Sequence, residues 1–271
     1  MKERRASIFS VRVLQKTMKP YILVFDRQIP VYGIFFYLGI IVAVTVALLI
    51  CRRKRVEWYD VAYSGVYAMI GGILGAKLLF LAVSFPQIIA EQIPLVAVLK
   101  GGFVFYGGLL GGLLGLFIYV KQFHMHMGEL LEIYATVLPL GHAFGRVGCF
   151  FAGCCYGIPY DGALSHTYRY SIGNTPIDVP LLPIQLIESV GLLLIFLVLL
   201  TVYWRGKERC GTVVILYLTV YPILRFVLEF FRGDVERGAL GLFSTSQWVS
   251  FGILSATLLF LLLKKRKNKI A

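Results

Sequence analysis

The chain has 271 residues, 58% of them hydrophobic and only 15% charged, with a mean hydropathy of +0.79. A soluble domain carries about a quarter charged residues, so these figures exclude a soluble globular domain, a small secreted scaffold and a disordered chain. The net charge of +13 sits in short basic runs between apolar segments, which is the pattern of membrane-protein loops rather than of a nucleic-acid surface, and no nucleic-acid partner is expected.

In chain order, residues 1–30 carry seven Lys and Arg and no apolar stretch leading to a cleavage site. Seven segments then approach the ~20 apolar residues a spanning helix needs: 31–51, 58–83, 103–120, 128–145, 184–204, 211–231 and 246–263. The fourth is the least apolar, interrupted by Glu129, Glu132 and His142. Segment 86–99 is apolar but short and reads as interfacial or re-entrant. The expected fold is an all-α polytopic membrane protein of about seven transmembrane helices, forming a single domain over 18–271.

Placing the runs 52–55, 121–126, 205–209 and 264–269 on one side gathers thirteen Lys and Arg there, against five in 84–102, 146–183 and 232–245. The positive-inside rule makes the first side cytoplasmic. The C-terminus is then cytoplasmic, the N-terminus external, and 146–183 an external loop. The basic residues of 1–30 conflict with that orientation. Either residues 1–17 are an upstream extension and Met18 is the start, or a basic tail is tolerated because other loops set the orientation.

Glycines cluster at 71, 72 and 75, at 101 and 102, and at 107, 108, 111, 112 and 115. Small residues let helix backbones approach closely, which accounts for most of them; a ligand-side role is expected only for Gly107, Gly108 and the 145–157 stretch. No internal repeat of the transporter kind is present.

Charged groups within spanning helices are costly and mark function. Three places stand out. The first is 145–157, where Arg146 stands among glycines and a guanidinium matches phosphate oxygens as a fork. The second is the sixth segment, where Tyr221, Arg225, Glu229 and Arg232 are spaced to share one helical face. The third is the fifth segment, with Gln185 and Glu188 three apart after Pro180 and Pro183. Together with Tyr32 and the stretch 103–108, these imply a site for an anionic, lipid-borne group.

These residues resemble the prolipoprotein diacylglyceryl transferase family of bacteria, whose signature runs Gly-Arg-x-Gly-Asn-Phe-x-Asn-x-Glu-x-x-Gly. Gly145, Arg146, Gly148, Phe150 and Gly157 match it. Further matches follow in order: Val31-Tyr32-Gly33, Gly101-Gly102, Phe105-Tyr106-Gly107-Gly108-Leu109, then Pro183, Gln185, Leu186 and Glu188, and finally 225–232. The likeness covers roughly 18–263.

The resemblance implies transfer of the diacylglyceryl group from phosphatidylglycerol to the lipobox cysteine thiol of a preprolipoprotein, with glycerol phosphate leaving and a thioether forming. The setting would be the bacterial cytoplasmic membrane. It assigns the phosphate to Arg146 and Arg225 and a catalytic place to Tyr106, where many members carry histidine. It places Tyr32, Gly107, Gly108, Gly148, Cys149, Gly157, Gln185, Glu188, Tyr221, Glu229 and Arg232 at the substrate. It implies no cofactor. The signature asparagines are replaced by Cys149 and Ala152 and its glutamate by Cys154, so the chain is either a divergent transferase or a phospholipid-binding paralogue that is non-catalytic or has altered specificity.

Cys149, Cys154 and Cys155 admit several readings. Zinc sites favour Cys-x-x-Cys spacing, which this cluster lacks, and no metal is expected. A disulfide and a redox-active thiol are alternatives. The preferred expectation is small buried residues without chemistry of their own.

Overall fold

The structure is a computed structural model that describes residues 20–25, 27–90, 94, 98, 102–173, 175–206, 211–234, 239–241 and 243–270. The proposed extension 1–17, Gly101 and most of 91–100 lie outside the described residues. A short hairpin, β1 (Tyr21–Val24) against β2 (Arg27–Pro30), leads into the first helix. Seven long helices follow: α1 (Val31–Ile50), α2 (Trp58–Ala90), α3 (Phe105–Gln122), α4 (Met127–Ala152), α5 (Ile184–Arg205), α6 (Thr212–Glu229) and α7 (Thr245–Ile270). Among the described residues, each of the seven long apolar segments thus becomes a helix. Five of them, α1, α2, α5, α6 and α7, are long and apolar enough to cross a membrane. The outward faces bear out that solvent: Leu258, Leu259 and Phe260 of α7 are each more than half exposed, an arrangement suited to lipid.

Three boundaries differ from expectation. Helix α4 continues through Arg146 and Cys149 to Ala152, so the segment between α4 and α5 begins at Gly153, not at residue 146. Gly145 and Gly148 are both helical; Gly148 lets Tyr32 and Phe35 of α1 close in, whereas a Cβ on Gly145 would meet nothing within 4 Å. Helix α2 runs on through Pro86 to Ala90, so 86–90 continues a helix. Helix α6 ends at Glu229, which removes Arg232 from the helical face of Tyr221, Arg225 and Glu229.

The chain forms two compact units, Ala47–Ile133 and Met1–Val46 with Tyr134–Ala271. In the first, α2 and α3 meet along a glycine seam. A Cβ on Gly71 or Gly111 would strike the other's carbonyl, and Gly75 meets Gly107 in the same way. The spacing of four puts these glycines on one stripe of each helix, the small-xxx-small device that brings backbones into contact. Gly107 therefore has a packing reason to be glycine. The same unit holds a buried ion pair, Lys54 Nζ to Glu132 Oε2 at 2.6 Å. Glu132, one of the residues that interrupt the fourth apolar segment, is 1% exposed. The Tyr119 hydroxyl donates to Asp60 Oδ1 at 2.7 Å, and Lys77 Nζ donates to the Val98 carbonyl at 2.8 Å.

In the second unit, α4 and α5 are pinned by Ser189 Oγ donating to the Ala143 carbonyl at 3.0 Å. Leu192, Leu199 and Tyr203 of α5 are fully buried. The segment 153–183 carries the two-residue strands β3 (His166–Thr167) and β4 (Pro180–Leu181), paired antiparallel. It closes over Phe150, Tyr168 and Leu181.

Candidate functional site

The end of α4 is a Schellman terminus. The Cys154 N–H donates to the Cys149 carbonyl at 3.1 Å, and the Gly153 N–H to the Phe150 carbonyl at 3.2 Å. Gly153 occupies the left-handed position with φ +65°, where glycine carries no Cβ penalty. Its carbonyl accepts from Ser171 Oγ and Thr175 Oγ1. The chain then runs antiparallel to the residues beyond α6. Gly157 bridges Arg232, Ile158 N–H donates to the Phe231 carbonyl, and Gly233 N–H to the Tyr156 carbonyl, both at 3.0 Å. A Cβ on Gly157 would meet the Leu182 carbonyl, so glycine here serves close backbone approach.

These connections bring the predicted residues of three helices together. Arg146 Nε lies 3.2 Å from Glu188 Oε1 and 3.2 Å from His142 Nε2, one turn back on α4. The other oxygen of Glu188 is 3.6 Å from Arg225 Nη1. Arg225 Nη2 pairs with Glu229 Oε2 at 2.5 Å and donates to Ser246 Oγ on α7 at 3.2 Å. Tyr221 packs edge-on to His142, with ring centroids 5.4 Å apart. Glu188 is 1% exposed. Buried charges survive only when paired, and here two guanidiniums are balanced by two carboxylates.

Around this core, Gln185 Nε2 donates to the Cys154 carbonyl at 2.7 Å and reaches the Tyr168 hydroxyl at 3.3 Å. Burial pushes the Tyr168 hydroxyl up and the His166 imidazole down from their ordinary pKa ranges. Arg232 is clamped bidentately by Asp234, at 2.8 and 2.7 Å. Burial opposes its charge, but hydrogen bonding to Asp234 outweighs that and holds the guanidinium above its usual range. The Tyr32 ring lies against Gly148, where an added Cβ would come within 3.2 Å. Cys149, Cys154 and Cys155 are not joined in disulfides, and their sulfurs all lie within 4.8 Å of one another. Tyr106, Gly107 and Gly108 begin α3 in the other unit.

A family profile described as prolipoprotein diacylglyceryl transferase matches residues 20–263. The chain belongs to the prolipoprotein diacylglyceryl transferase family. Among relatives of that family, the phosphatidylglycerol–prolipoprotein diacylglyceryl transferase of Clostridium tetani is 34% identical over 256 residues, covering 93% of this chain and all of the relative. The phosphatidylglycerol–prolipoprotein diacylglyceryl transferase 2 of Clostridium perfringens is 32% identical over 249 residues, 91% of this chain and 95% of its own length. That of Dehalococcoides mccartyi is 30% identical over 242 residues, 89% and 91% respectively.

Within this family member, sequence reasoning singled out Arg146, Glu188, Arg225 and Glu229, and the structure joins them in one network. It did not assign a site role to Ser246, Asp234 or Tyr168. It noted His142 only as an interruption of the fourth segment, although the spacing of four from Arg146 places both on one face of α4.

Proposed function

We propose that the chain transfers the diacylglyceryl group of phosphatidylglycerol to the lipobox cysteine thiol of preprolipoproteins, releasing glycerol phosphate and leaving a thioether. The observation that carries this reading is the Arg146–Glu188–Arg225 network in a chain whose family match runs over 20–263. Glycerol phosphate leaves with growing negative charge. Preorganised cations in a water-poor site stabilise such charge far more than they do in water. Arg146 and Arg225 supply the cations. Glu188 and Glu229 hold them in place, and Gln185, His142 and Tyr221 position the network.

In this reading all seven helices cross the bacterial cytoplasmic membrane as one domain over 18–271. The N-terminus is external, the C-terminus cytoplasmic, and the segment after α4 faces outward. The lipid enters sideways from the bilayer beside Tyr32, Gly148 and Gly157. Tyr106, with Gly107 and Gly108, orients the thiol or the phosphate by hydrogen bonding. Phosphatidylglycerol and the signal-peptide region of the preprolipoprotein are the partners.

The test uses the purified full chain with phosphatidylglycerol and a lipobox peptide, reading peptide mass gain and glycerol phosphate release. Product is expected. No product where the Clostridium tetani relative reacts would reject the reading. One observation favours a second reading, phospholipid binding without turnover: each site arginine already has a carboxylate partner. Retention of phosphatidylglycerol without product would select it.

A further inference from the structure

The three cysteines after Arg146 are not scattered. Cys149 and Cys154 are the third residue from the helix end and the second residue beyond it in the Schellman terminus of α4. In that motif the two positions characteristically touch. Cys155, with φ +58°, turns back toward them. A spacing that fits Cys-x-x-Cys poorly is therefore the spacing this terminus needs to gather thiols. The Zn–S bond is about 2.3 Å, so sulfurs sharing one tetrahedral zinc stand about 3.8 Å apart. The three sulfurs here all lie within 4.8 Å of one another, and shifts of side-chain rotation size close the difference. Among the described residues, no further His, Cys, Asp or Glu joins the group.

We infer that Cys149, Cys154 and Cys155 form a three-thiolate site for a zinc-class cation whose fourth position is open to an external thiol. Soft thiolate ligands select such metals, and three protein ligands with an open position mark a reactive rather than a structural zinc. The charge balance fits. Three thiolates and a dication sum to one negative charge, and Arg146 stands one helical turn before Cys149 while Arg232 lies beside Cys155. All three cysteines are only partly buried, so an incoming sulfur is not sealed out.

This inference rests on the transferase reading and completes it. The acceptor must react as a thiolate. At the arginine pair, His142 Nε2 is engaged by Arg146 Nε and both carboxylates are in ion pairs. A thiol ligated to a metal is deprotonated outright. The acceptor cysteine binds the open position through sulfur and gives up its proton. A sulfur electron pair attacks the glyceryl carbon bonded to the phosphate oxygen. That C–O bond breaks, and its electrons leave with glycerol phosphate held by Arg146 and Arg225. The phosphate takes up the proton, and the thioether, a weak ligand, departs.

The test keeps the full chain reduced in detergent, loads it with cobalt(II) in place of zinc, and records thiolate-to-cobalt charge-transfer absorption. Absorption of a tetrahedral thiolate complex is expected in the wild type and in Cys51→Ser, with loss in Cys149→Ser, Cys154→Ser and Cys155→Ser. A lipobox peptide should change the spectrum, and the same peptide with serine for cysteine should not. Because the wild-type spectrum needs no variant, misfolding of a serine variant leaves the test intact. Absence of the cobalt spectrum, a disulfide among the three that persists in reductant, or a spectrum indifferent to the thiol peptide overturns the inference. Transfer by metal-free protein would overturn it while leaving the transferase reading standing. A thiol-responsive spectrum without transfer would do the reverse.

Discussion

Arg146 and Arg225, on different helices, lean on one carboxylate: Glu188 turns Oε1 to the first and Oε2 to the second, at 3.2 and 3.6 Å. The shared carboxylate offsets the repulsion between the two cations and holds them close. Glu188 is the group on which the site's geometry depends, although it is buried.

Glu188→Gln keeps the shape and removes the shared charge. Removing one partner of a buried ion pair costs about 3–5 kcal/mol. The thermal midpoint in detergent should fall, and fall further than for Glu229→Gln, which leaves the bridge in place. Equal midpoints for Glu188→Gln and wild type would show that the bridge carries no stability.

Lysine replaces charge but not the planar fork. Arg146→Lys and Arg225→Lys should each lower turnover by about 10²-fold or more, the scale seen when one donor to a developing anion is removed. Glycerol phosphate release measures it. Wild-type rates in both variants would remove the phosphate from these residues.

The α2–α3 seam gives a test with an internal control. Gly111→Ala drives a methyl into the Gly71 carbonyl, whereas a Cβ at Gly33 meets nothing within 4 Å. Overpacking costs about 1–3 kcal/mol. Gly111→Ala should lower the unfolding midpoint and Gly33→Ala should leave it nearly unchanged. A reversed order would show that the helices do not meet along this stripe.

Burial holds the His166 pKa below its ordinary value, while the unfolded chain titrates near 6.5. Below that pH the unfolded state binds the extra proton more readily, so stability is present above about 6.5 and is lost as pH falls. The ring packs on Phe150 and Tyr168, each at 4.7 Å between centroids. His166→Phe should flatten the acid slope of the melting midpoint between pH 7 and 5. An unchanged slope would place the acid sensitivity elsewhere.

The helices were legible because a run of apolar residues longer than a bilayer is thick has few alternatives. Arg146, Glu188, Arg225 and Glu229 were legible because charge amid apolar sequence is costly. Their pairing was not: Gln185 and Glu188 looked like neighbours on one face, whereas Glu188 finds its partners on α4 and α6. The end of α4 was misplaced because glycine serves both loops and close-packed helices, and only the tertiary neighbours of Gly148 distinguish the two. The pairing of Glu132 with Lys54 was hidden as well, because Lys54 lies in a basic run that reads as surface.

The bridge also imposes an order on biogenesis. Translation delivers Arg146 first, its carboxylate only with α5, and Arg225 last, with Glu229 in the same helix. A nascent chain that stops before residue 188 carries an arginine whose counter-ion has not been made. Docking of α5 converts that liability into a neutral core. Glu188 thus neutralises Arg146 only in a chain that already includes α5.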